Sequence, residues 1–181
     1  MADTKLSTNE IMLLIVGNPM WCNIRTDIVI PNLSWGLLNH EADLAIIGKS
    51  GYLTEIEIKR SFQDLKKDFE KRVFHKDDKV SKFYFCLPAS IKEKANKLFL
   101  ERDEQLSDLY WGWKNKSDDL YYTPAVIWYD DEGNLEFNKG WSCVGGRKLF
   151  MEEINKITRY LSIRYWNLLS KTTNGTIIKK I

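Results

Sequence analysis

Apolar and polar residues alternate most regularly in the stretch ADLAIIGKSGYLTEIEIK. Ala42–Ile47 is a short apolar run, and Tyr52–Lys59 alternates with the period of two residues that is typical of a β-strand. The residues GKSG between them are typical of a hairpin turn. If Gly51 adopts the left-handed conformation at the end of a three-residue loop, Gly48 pairs with Tyr52. The pattern therefore predicts a β-hairpin in this register.

Helical spacing and turn residues divide the rest of the chain into further elements. Ser7 is the expected N-cap of a first helix that ends near Val16, and Glu10 lies at the capping-box position. Apolar residues at helical spacing predict three more helices, at 62–73, 91–102 and 149–170. Further strands are predicted at 27–32, 82–87, 123–129 and 135–138. The polar and acidic segment 103–119 is interpreted as an insertion.

Composition limits the class of protein. The hydrophobic share of 44% and the aromatic share of 13% argue against disorder, and 181 residues fit one domain, which we expect to span 1–181. Three widely spaced cysteines show no metal-ligand pattern, so the sequence argues against zinc and for a reducing compartment. The apolar run Ile11–Val16 is too short for a signal peptide or a membrane span. We therefore expect a cytoplasmic protein that does not bind membranes.

The predicted hairpin register places two carboxylates opposite each other. Asp43 lies across from Glu57, with Cβ atoms about 5 Å apart, and such a pair repels unless a cation lies between its members. Oxygen ligands of this kind suit Mg²⁺ or Mn²⁺. Lys59 points to the same face and can reach a water or phosphate beside the ion. A structural alternative remains, in which Glu55, Glu57 and Lys59 form an ion-pair ladder on a solvated strand face.

These residues and their context resemble the PD-(D/E)xK nuclease superfamily. Its motif is an aspartate on one strand and (D/E)-x-K on the next, which Asp43 and Glu57-Ile58-Lys59 match. The likeness is closer to the MmcB-like group of small DNA-repair-associated members and their phage relatives. The segments that carry this likeness are Ala42-Asp43-Leu44, Glu57-Ile58-Lys59, Ser61, Asp64-Leu65, Asp68 and the aromatic strand 83–88. Ala42 stands where many members have proline, and the motif defines no role for Glu55.

The resemblance implies a restriction-endonuclease-like core of helix, strand hairpin, helix and strand, in an α/β fold whose mixed central sheet is flanked by helices. Asp43, Glu57 and the backbone carbonyl of Ile58 are then the expected ligands of Mg²⁺ or Mn²⁺, and Lys59 is the expected catalytic lysine. The expected activity is hydrolysis of phosphodiester bonds in DNA. The residues that could assist at the site are Glu10, Glu55 and Gln63.

A basic helix and the segment after it are the expected nucleic-acid surface. Its candidate residues are Lys66, Lys67, Arg72, His75 and Lys76. His40 precedes the aspartate strand, and we interpret it as a structural histidine. A homodimer is compatible with the resemblance, because a small nuclease often needs two copies to cut both strands. The main alternative is a catalytically inactive protein on the same fold that binds nucleic acid or a protein partner.

Overall fold

A computed structural model describes residues 3–33, 36–71, 75–110, 123–138 and 140–172. The strands are β1 (Ile28–Leu33), β2 (Ala42–Ile47), β3 (Leu53–Ile58), β4 (Val80–Pro88), β5 (Val126–Tyr129) and β6 (Leu135–Phe137). The α-helices are α1 (Thr8–Gly17), α2 (Phe62–Asp68), α3 (Lys92–Glu101), α4 (Asp103–Leu109) and α5 (Met151–Thr172). A short 3₁₀ helix, Ala89–Ile91, joins β4 to α3.

The six strands form one mixed sheet in the order of the sequence, β1-β2-β3-β4-β5-β6. The β3–β4 and β4–β5 pairs are parallel, and the other three pairs are antiparallel. The predicted hairpin is confirmed: the register pairs Leu44 with Ile56, the Gly48 amide donates to the Tyr52 carbonyl, and Gly51 has φ +80°. Continuing this register by one residue places Asp43 opposite Glu57.

Helices cover both faces of the sheet, so the fold is a mixed α/β arrangement. On one face, Ile11 and Ile15 of α1 pack with Ile56, Tyr84 and other residues of the strands. On the other face, residues of α2, α3 and α4 pack on an aromatic surface that includes Phe83, Phe85 and Trp128. Because neighbouring residues of a strand point to opposite faces, the alternation in β3 and β4 decides which side chains meet which helices.

Two element boundaries differ from the sequence-based prediction. The helix predicted at 62–73 ends at Asp68, since the Glu70 amide donates to the Lys67 carbonyl and the chain then turns. Residues 72–74 lie outside the described residues. Segment 103–119, interpreted as an insertion, begins with α4, whose Leu106 and Leu109 are buried in the core. Residues 111–119 of that segment also lie outside the described residues.

The chain divides into two compact units, residues 1–148 and 149–181. The first contains the sheet and α1 to α4. The second contains α5, which closely matches the helix predicted at 149–170. Among the described residues, every helix is too short or too polar to cross a membrane.

Candidate functional site

The predicted pair of carboxylates lies at the start of β2 and the end of β3. Asp43 accepts a hydrogen bond of 2.8 Å from the Ile58 amide, which fixes its carboxylate beside the end of β3. Burial and the nearby charge of Glu57 raise the pKa of Asp43 from its ordinary 3.8 to about 6. Glu57 is 4% exposed, and its Oε2 is buried without a hydrogen-bond partner among the described residues. The carboxylates of Asp43 and Glu57 are therefore close enough to repel each other, and Glu57 Oε2 accepts no hydrogen bond from the described residues.

Lys59 joins Glu57 to a carboxylate on α2. Its ammonium donates to Glu57 Oε1 at 2.5 Å and to Asp68 Oδ1 at 2.8 Å. Burial opposes the charge on Lys59, but the Glu57 and Asp68 carboxylates raise its pKa above the ordinary value. The Tyr129 hydroxyl donates to the Lys59 carbonyl at 2.9 Å, so the backbone of the lysine is held as well. Lys71, more exposed, forms ion pairs with the same two carboxylates.

Both histidines of the chain meet at Glu55, which is fully buried on the same face of β3. His40 Nε2 lies 2.9 Å from each Glu55 oxygen, and His75 Nδ1 lies 2.8 Å from Oε1. His75 Nε2 lies 2.8 Å from Asp68 Oδ2. Although burial opposes it, hydrogen bonding to Asp68 and Glu55 raises the pKa of His75 to about 10. Burial favours the neutral form of Glu55, but hydrogen bonds from His40 and His75 outweigh it and lower the pKa of this carboxyl.

The local arrangement explains why these side chains converge. β3 pairs with β4 so that Glu55 and Glu57 lie beside Phe83 and Phe85, on the face that carries α2. The N-cap of α2 is Ser61, whose hydroxyl accepts from the Asp64 amide, and one face of α2 presents Asp68 towards β3. His75, which follows α2 in the chain, lies in the left-handed region at φ +46°. Its ring lies 4.7 Å from that of Phe83.

Several sequence-based interpretations of these residues are wrong. The surface ion-pair ladder is excluded because Glu55, Glu57 and Lys59 are at most 9% exposed. The sequence places His75 among the nucleic-acid-binding residues, but it is 1% exposed and bound to two carboxylates, so it cannot contact a DNA backbone.

Of the three accessory candidates, the structure brings only Glu55 into the buried network. Glu10 completes the capping box with Ser7, on a helix that packs on the opposite face of the sheet from Glu57. Its carboxylate therefore does not assist the pair of carboxylates. Gln63 is exposed on α2.

The remaining basic candidates keep a solvent-facing position. Lys66 and Lys67 are exposed on α2, and Lys76 is exposed in the loop before β4. Arg72 lies outside the described residues. Lys66, Lys67 and Lys76 are therefore open to solvent, whereas Lys71 forms an ion pair with Glu57.

Three members of the site are not assigned to it by the sequence: Asp68, Lys71 and His40. The sequence does indicate that Asp68 is buried, because it shares the helical spacing of Leu65 and Phe69 on the buried face of α2. A charged residue at such a position needs a buried partner. Lys71 follows Asp68 by three residues, a spacing that brings side chains together in the helix predicted at 62–73, and the two remain an ion pair although α2 ends at Asp68. His40 is interpreted from the sequence as structural, and its convergence with His75 depends on long-range folding.

Comparisons with known proteins leave the identity open. No family model matches the chain, and no curated protein matches it. A solved structure of a protein of unknown function from Silicibacter pomeroyi is similar in fold, with a TM-score of 0.55 at 10% identity. The match covers 97% of this chain and 99% of that one. At this identity the similarity concerns the fold alone.

Proposed function

We propose that the protein is a metal-dependent nuclease that hydrolyses phosphodiester bonds in DNA, on a restriction-endonuclease-like core. The observation that carries the proposal is the buried Oε2 of Glu57, which has no hydrogen-bond partner among the described residues and lies beside the carboxylate of Asp43. A buried carboxylate oxygen without a donor is costly, and a bound cation would remove that cost.

The charges around the site favour a cation at this place. Glu55, Glu57 and Asp68 form ion pairs with Lys59, Lys71 and His75, whereas the Asp43 carboxylate accepts a hydrogen bond from the Ile58 amide. The raised pKa of Asp43, and the Glu57 Oε2 that has no hydrogen-bond partner among the described residues, favour a cation between these two carboxylates.

The residues present fit a hard divalent ion. Asp43 and Glu57 would hold Mg²⁺ or Mn²⁺ together with the Ile58 carbonyl, since these are the oxygen ligands such ions prefer. When bound, the ion supplies a Lewis acid that lowers the pKa of a coordinated water and offsets charge on the phosphate.

Lys59 has the position of a group that stabilises charge at the reacting phosphate. An ammonium has three N–H donors, and Lys59 uses two of them on Glu57 and Asp68. The third has no recorded acceptor among the described residues, and it would donate to a phosphate oxygen or the attacking water. Asp68, through its bond to Lys59, acts as a positioning residue. Lys66, Lys67 and Lys76 would contact the DNA backbone without reading its sequence.

The test is nicking of supercoiled plasmid by the purified protein with Mg²⁺ or Mn²⁺. We expect Asp43→Asn and Glu57→Gln to abolish nicking, and the control Glu10→Gln to retain it, because Glu10 caps α1 on the other face. Lys66→Ala combined with Lys67→Ala should weaken DNA binding and reduce its salt slope by about two, because each lysine neutralises one phosphate.

The alternative is a nucleic-acid-binding protein that no longer cleaves. If the parent protein binds Mn²⁺ and DNA but cuts neither DNA nor RNA, the nuclease proposal fails and this alternative replaces it. If Asp43→Asn nicks as fast as the parent, any observed cleavage comes from elsewhere and the proposed site is wrong.

A further inference from the structure

A second site lies at Glu55, two residues before Glu57 on the same face of β3. The chain has only two histidines, and both direct a ring nitrogen at this one buried carboxylate. His40, Glu55 and His75 each offer a ligand atom, and these atoms lie within 4.8 Å of one another.

The far nitrogen of each ring also faces an oxygen acceptor. His40 Nδ1 lies 2.7 Å from Asn39 Oδ1, and the orientation of that amide is fixed because Asn39 Nδ2 donates to the Lys76 carbonyl. His75 Nε2 lies 2.8 Å from Asp68 Oδ2. Each imidazole therefore has an acceptor at both nitrogens.

With Glu55 and Asp68 ionised, two arrangements satisfy these contacts. In one, both rings carry two protons, so two imidazolium ions meet edge to face with centroids 5.2 Å apart. In the other, each ring keeps a proton on its far nitrogen, and a cation takes the place of the protons that point at Glu55. The second arrangement matches the usual environment of metal-binding histidines, whose other N–H donates to a carboxylate or a carbonyl oxygen.

We propose that His40 Nε2, His75 Nδ1 and the Glu55 carboxylate bind a borderline divalent transition ion such as Zn²⁺ or Co²⁺. Imidazole nitrogens suit these ions better than they suit Mg²⁺. Zn²⁺ bonded at about 2.1 Å in tetrahedral geometry holds its ligand atoms about 3.4 Å apart, so the present contacts of 2.8–2.9 Å need widen only slightly. The His40 side chain is 11% exposed and gives the ion a route from solvent.

This proposal does not rest on the proposed nuclease function, although Asp68 contacts both Lys59 and His75. The ligands of this site exclude Asp43 and Glu57, and its ion differs in chemical class from Mg²⁺. Three protein ligands leave a fourth position of the ion for water. The ion would link the segment before β2, the centre of β3 and the loop before β4, which carry the three ligands.

The experiment is a titration of the full-length, metal-free protein with Zn²⁺, followed by ¹⁵N NMR of the imidazole rings. We expect one Zn²⁺ to shift both histidines and to leave them in opposite tautomers, with the proton on Nδ1 in His40 and on Nε2 in His75. His40→Gln assigns the two signals. Mg²⁺ should shift neither ring.

Two variants separate this site from its neighbour. Asn39→Ala alters an exposed residue and should weaken Zn²⁺ binding about 10- to 100-fold, the effect expected when the acceptor behind a metal-binding histidine is removed. Asp43→Asn should leave the Zn²⁺-induced tautomers unchanged, whether or not the parent protein cuts DNA. Unshifted imidazole signals at one equivalent of Zn²⁺, or Zn²⁺ affinity that Asn39→Ala does not change, would overturn the proposal.

Discussion

The carboxylate of Asp43 should destabilise the metal-free protein, and its removal should therefore stabilise the fold. Its pKa rises from 3.8 to about 6 through burial and the charge of Glu57. Each tenfold change in proton affinity corresponds to about 1.4 kcal/mol, so the ionised carboxylate costs at most about 3 kcal/mol. Asp43 is partly exposed, and solvent screening reduces this value. We expect Asp43→Asn to raise the free energy of unfolding by about 1–3 kcal/mol at pH 7.

The pH dependence has a definite sign. The folded state binds the Asp43 proton more tightly than the unfolded state, so the cost is present in full above pH 6, where the carboxylate is ionised in both states. The cost decreases as the pH falls from about 6 towards 3.8, and it is absent below pH 3.8, where the carboxyl is protonated in both states. The difference in the free energy of unfolding between Asp43→Asn and the parent should show the same dependence on pH. The asparagine oxygen can still accept the bond from the Ile58 amide, so the local geometry is retained.

Urea unfolding in EDTA, from pH 4 to pH 8, measures this difference. Asp64→Asn is the matched control, because Asp64 is exposed in the first turn of α2 and favours the positive end of that helix. Its removal should lower the free energy of unfolding by about 0.3–1 kcal/mol at pH 7, the opposite sign. Mn²⁺ should stabilise the parent but not Asp43→Asn. A variant no more stable than the parent at pH 7 would show that Asp43 and Glu57 do not repel each other.

Two further predictions concern packing and thiol reactivity. A Cβ at Gly146 would lie 2.0 Å from the Val80 carbonyl oxygen, so Gly146→Ala should lower stability in thermal unfolding by about 1–3 kcal/mol or more, whereas Gly17→Ala, with open space around it, should not. Unchanged stability of Gly146→Ala would refute the close approach of the two segments. Burial raises the pKa of Cys86, and Cys22 is also buried, so a thiol reagent at pH 8 should first modify Cys143, and Cys143→Ser should remove the fast phase. A fast phase that survives this substitution would show that a buried cysteine is accessible.

Local patterns in the sequence determined the hairpin and much of the secondary structure. The residues GKSG and the alternation after them set a register that the structure confirms, and this parity alone places Asp43 and Glu57 on one face. The capping box of α1 was also readable, because Ser7 and Glu10 interact within one helical turn. Interactions of this kind depend on residues close in sequence, so composition and spacing suffice to predict them.

The tertiary structure decided which charged residues are buried and which of them meet. Glu55 and Glu57 have the same alternating pattern as a solvated strand face, and only the parallel pairing with β4 and the cover of α2 remove both from water. His40 and His75 lie 35 residues apart in sequence, on either side of the hairpin and α2, and no periodicity links them. Burial and the meeting of distant residues depend on how the layers pack, since a charged group enters the interior only where the fold brings it a partner.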